Sequence, residues 1–116
     1  MDVDAVKIWV TLRNVPGVGD RLFKRLVDRF EDPQRVFEAA RGSPRLFDDT
    51  EGINQGLVRA IASHSLPESL AHDIQRAIAQ GFQIVTMADR RYPRLLRQIP
   101  DPPAYFYLAG QLPADA

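Results

Sequence analysis

Apolar residues recur at a helical period through most of the chain and then change rhythm near its end. Ala5, Ile8, Trp9 and Leu12 fall at i, i+3, i+4 and i+7, one face of a helix that Asp2 or Asp4 starts and the stretch 14–17 stops. Leu22, Phe23, Leu26, Val27 and Phe30 form a second apolar face, with Arg21, Lys24, Arg25 and Arg29 on its polar side. Asp32 followed by Pro33 is a cap and a first-turn proline, opening a short helix to about Ala40; Ser43 and Pro44 repeat that signal briefly. Asn54 caps a helix to about His64. Pro67 opens another, with stripe Leu70, Ile74, Ala77 and Ile78, that ends at Gly81. Residues 1–81 therefore read as a compact helical bundle.

From residue 82 the period shortens. "FQIVT" (82–86) and "AYFYLA" (104–109) are β-rich and nearly continuously apolar, the pattern of strands buried on both faces. The intervening "YPRLLRQIP" has room for only a short helix before the turn at "DPP". Two strands joined by such a crossover are expected to run parallel and right-handed. Residues 82–116 then read as the opening β-α-β segment of an α/β domain, with strand edges that pair with another copy or fray.

The chain also repeats itself. Shifted by 35 positions, "PGVGDRLFKRL" (16–26) lies on "EGINQGLVRAI" (51–61). Gly17 meets Gly52, Val18 meets Ile53, Gly19 meets Asn54, Leu22 meets Leu57, Lys24 meets Arg59, Leu26 meets Ile61 and, upstream, Leu12 meets Phe47. Each copy is a glycine turn, an apolar plug and a helix that packs back. The arrangement resembles a double helix-hairpin-helix, or SAM-like, domain.

Composition narrows the chemistry. In 116 residues, 15 Lys and Arg balance 15 Asp and Glu, so no global field draws the chain onto nucleic acid, and any such contact must be local. With no cysteine there is no disulfide framework or thiolate metal site, which suits a reducing cytoplasm. The acidic start and the lack of a long apolar run point away from a secretory signal or a membrane span. His64 and His72 have no ligand cluster around them, and no Ser/His/Asp arrangement or carboxylate pair emerges, so neither a metal, a cofactor nor a catalytic centre is expected.

What remains is local. Gly17, Val18 and Gly19 allow close backbone approach, and the free N–H groups opening the next helix form a small anion nest, with Arg21 nearby and Lys24 and its counterpart Arg59 further along. A phosphate oxygen fits there. Asp20 beside the nest and Glu51 beside Gly52 favour instead a corner whose glycines only turn the chain. Arg90, Arg91, Arg94 and Arg97 form a basic run, and a spacing of three would set Arg91, Arg94 and Arg97 on one side of a short helix. Tyr105 and Tyr107 share a strand face, where an exposed pair would stack on bases but a packed pair would serve the core. Asp89 is expected to cap a turn, and Tyr92 to anchor it.

A wider resemblance covers nearly the whole chain. "W..L..VPGVG", "F.DP..VF.A" and, most distinctively, residues 84–110, "IVTMADRRYPRLLRQIPDPPAYFYLAG", are similar to the N-terminal part of the DNA-processing protein A family, DprA or Smf. The resemblance implies a non-catalytic protein that binds single-stranded DNA, protects it during DNA uptake in natural transformation and helps load the RecA recombinase for recombination. It implies a truncated Rossmann-like domain after residue 81, with the main DNA-binding loop outside this sequence; that missing part and the zero net charge together point to weak or negligible DNA binding by this chain. Two other classes stay open: an autonomous helix-hairpin-helix module on duplex backbone, and a protein-interaction domain.

Overall fold

The computed structural model describes residues 2–110. Among them, six α-helices and one two-stranded sheet make a mainly helical protein. The first helix, α1 (Val3–Arg13), begins where the Asp2 carboxylate accepts from the N–H groups of Asp4 and Ala5. Its inward side is Val6, Trp9, Val10 and Leu12, while Ala5 stands exposed. The expected stripe was too narrow because α1 is covered from two directions, so neighbouring residues such as Trp9 and Val10 are both buried.

Helix α2 (Asp20–Phe30) buries Leu22, Phe23, Leu26 and Phe30, and α3 (Pro33–Gly42) starts at an Asp32 side-chain cap with proline in its first turn. A single 3-10 turn at Pro44–Phe47 drops Phe47 into the core, its ring 4.8 Å from that of Phe30. Helix α4 (Gln55–Ser63) follows the Asn54 cap, and α5 (Glu68–Ala79) buries Ile74.

The repeated segments meet reciprocally. Gly17 and Gly52 both adopt left-handed backbone, with φ of 100° and 89°. A methyl group on Gly17 would lie 3.1 Å from Leu57, and one on Gly52 would lie 3.9 Å from Leu22 and 3.1 Å from Arg25 Nη1. Each corner thus abuts the helix that follows the other, and the matched residues Leu12 and Phe47, Leu26 and Ile61 are all fully buried.

Strands β1 (Gln83–Thr86) and β2 (Tyr105–Leu108) pair antiparallel, from Gln83 opposite Leu108 to Thr86 opposite Tyr105. The parallel crossover expected from the sequence is not formed. The connection holds one helical turn, α6 (Arg94–Arg97), which is too short to carry the chain back along the sheet. It folds on itself instead: Met87 N–H donates to the Ala104 carbonyl, and the buried Tyr92 hydroxyl donates to the Pro103 carbonyl at 2.6 Å. β1 is buried on both faces as expected, Val85 joining the helical core and Ile84 a smaller cluster with Val6, Val10 and Ile74. β2 is not, since Tyr107 is 43% exposed.

Candidate nucleic-acid interface

The first glycine corner is held from behind. The Arg13 guanidinium bonds the Asp20 carboxylate at 2.6 Å and the Val18 carbonyl at 3.1 Å, drawing Asp20 aside. Val18 plugs the core at 2% exposure, and Gly19 precedes α2 with no side-chain cap on its first turn. A methyl group on Gly19 would meet nothing within 4 Å, so the surface immediately beside its backbone is open. At the second corner the equivalent residue, Asn54, fills the same position with its own oxygen, which accepts from Leu57 N–H at 2.8 Å. The two corners therefore differ in kind: one leaves its helix-opening N–H groups uncapped, the other satisfies one of them internally.

Arg21 is exposed with no ion-pair partner among the described residues, as is Arg59 on α4. Lys24 is held by Asp28 one turn on, at 2.7 Å. Arg21, Lys24, Arg25 and Asp28 form one wall of a groove of about 620 Å³, and Arg97, Gln98, Ile99 and Pro100 form the other. Arg25 reaches from α2 to the second glycine corner, where it donates to the Glu51 carbonyl at 3.2 Å. Sequence reasoning placed Arg25 on the polar face of its helix and went no further; its part in the groove depends on the 97–100 segment arriving opposite.

The basic run separates. Arg91 lies in the turn ahead of α6, where Asp89 accepts from its backbone N–H at 2.8 Å and pairs with its guanidinium at 2.8 Å. Those hydrogen bonds hold the Asp89 carboxyl below its ordinary pKa against the opposing effect of partial burial. Arg97 turns the other way, over the Tyr92 ring at 4.9 Å and onto the Asp89 carbonyl at 3.3 Å. Arg94 has no ion-pair partner among the described residues. The expected single basic side is thus not built, because Pro93 precedes the helix and leaves Arg91 outside it. Only Arg97 joins the α2 cations.

A second groove, of about 440 Å³, lies between the corner and β2, lined by Arg13, Asn14, Asp20, Tyr105, Phe106 and Tyr107 among others. Tyr105 and Tyr107 meet edge to face at 6.3 Å, and Tyr105 also accepts from the Asn14 amide at 3.2 Å. Tyr105 is therefore a packing residue, and Tyr107 is the exposed ring of the pair. Partial burial pushes its hydroxyl pKa up. Among the described residues no group of His, Asp and Glu gathers that could hold a metal ion, and no helix is long and apolar enough to cross a membrane.

Fold and surface together define a small, mainly helical protein with a locally basic groove beside a glycine corner. No family model and no solved structure matches the chain. It is similar to the protein Smf of Synechocystis sp., with 30% identity over 104 residues, which are 90% of this chain and 25% of that protein. The similarity supports membership of the DprA/Smf family, and the chain spans about a quarter of the length of this curated relative.

Proposed function

We propose that this chain is the helical accessory part of a DprA-like protein that binds single-stranded DNA, protects it during uptake and helps place RecA recombinase on it, without catalysis. Residues 1–81 form a double helix-hairpin-helix unit, and residues 82–116 join it to the larger DNA-binding part of the whole protein. The observation that carries this reading is the reciprocal packing of the two glycine corners in a chain with this family similarity. The uncapped first corner, Gly17 to Gly19 with Arg21 beside it, is the place where a phosphate rests; the Asn54-capped corner is structural. With no net charge to supply a long-range field, contact by this chain alone is weak and orienting.

The test is anisotropy of a labelled single strand titrated with the chain at low salt. Weak binding that disappears by about 200 mM salt is expected. Gly19→Asp should abolish it while leaving the fold intact, since a Cβ there meets no atom within 4 Å and aspartate is a favoured cap whose carboxylate would occupy the nest itself. Binding unaffected by Gly19→Asp, or none at low salt, refutes the proposed DNA contact.

A further inference from the structure

The groove between α2 and the 97–100 segment has a character that phosphate binding does not explain. Its charged lining is four cations, Arg21, Lys24, Arg25 and Arg97, against the single acid Asp28, in a chain whose formal charge is zero. Lys24 and Asp28 neutralise one another, so the unspent charge belongs to three guanidiniums. Arg97 is held in place by the Tyr92 ring and the Asp89 carbonyl, and Arg25 by the Glu51 carbonyl, so each presents its remaining N–H groups with little rotamer entropy left to lose. Planar donors fixed in this way suit carboxylates and phosphates alike, meeting either two bonds at a time, so the apolar residues beside them decide between the two.

The opposite wall carries apolar surface beside Arg97 and Gln98: Ile99 is 41% exposed next to Pro100. Bare aliphatic side chains give a nucleic acid nothing to stack on; the exposed tyrosine lies in the other groove. They do give a peptide side chain somewhere to bury. The volume, about 620 Å³, lies within the range of clefts that hold small ligands.

We infer that this groove is a docking site for a short acidic segment of a partner protein, its carboxylates on Arg21, Arg25 and Arg97 and an apolar side chain against Ile99 and Pro100. The inference shares Arg21 with the proposed DNA contact but not Gly19, and the Gly19 and Ile99 variants separate the two.

The experiment titrates the full chain with a short labelled peptide alternating Asp and Leu, with oligoaspartate of equal length, and with a thymidine oligonucleotide. The Asp–Leu peptide should bind about ten-fold more tightly than oligoaspartate, from burial of its leucines. Ile99→Asp and Arg21→Glu should each weaken it by about ten-fold at unchanged thermal midpoint, both sites being exposed. Gly19→Asp should leave peptide binding as it was. Equal affinity for oligoaspartate, displacement of the peptide by the oligonucleotide at equal strength, indifference to Ile99→Asp, or no peptide binding overturns the assignment.

Discussion

Two residues with positive φ show how backbone conformation and side-chain identity are matched, and mismatched, in this chain. Gly17 sits at φ 100° with Leu57 close against it, so Gly17→Ala should cost about 1–3 kcal/mol, from left-handed strain plus the shift forced on Leu57. Glu31 ends α2 at φ 81°, where any side chain is strained, and its ion pair with Arg35 is well exposed. Glu31→Gly should therefore raise stability by about 1 kcal/mol despite losing the pair, because exposed pairs contribute only tenths. Denaturant titration of both variants checks the opposite signs. Asp89 offers a pH test. Its folded carboxyl is held below the unfolded value, so the stabilisation is present above about pH 4 and is lost as pH falls through the depressed folded pKa. Asp89→Asn should flatten that acid limb, as followed by thermal unfolding between neutral and acid pH.

At the scale of elements, ends were more legible than partners. The caps at Asp2, Asp32 and Asn54 can be read from short polar residues placed before apolar periods, since capping is a local hydrogen bond. Asn54→Ala should cost about 1 kcal/mol and fray α4, seen as faster amide exchange at Leu57, whose N–H it caps. The width of the α1 stripe was not legible, because it reports how many neighbours a helix has. Strand direction failed for a related reason. Both strands were visible as apolar runs, but their relative direction depends on where the connection travels, and that connection is pinned by the Tyr92 contact to Pro103 and folded around a single helical turn. The candidate site shows the same division. Gly17, Gly19 and Arg21 stand out by their repeat and spacing, whereas Arg97 reaches the α2 face only because that turn directs it there.

For the whole molecule, the decisive fact is that the hairpin and the helices share their interior. Val85, Met87, Tyr92 and Ala104 belong to one cluster with Trp9, Phe23, Phe37 and Ile61, while α1 and β1 also supply the second cluster. A chain knit together in this way should unfold in one step: the loss of helical circular dichroism and the change in Trp9 fluorescence should coincide in urea, and separate transitions would contradict the shared core.

Local physics sufficed for the sequence to determine the helices, their caps, the glycine corners and the thirty-five-residue repeat, because each rests on residues within a few positions of one another or on self-similarity. Antiparallel pairing, the second buried side of α1, the separation of Arg91 from Arg97 and the groove that Arg97 shares with Arg21 were decided only in three dimensions. Those features depend on which distant segments come to lie against each other, and that is set by the competition to bury apolar surface over the whole chain rather than by the preferences of any one stretch.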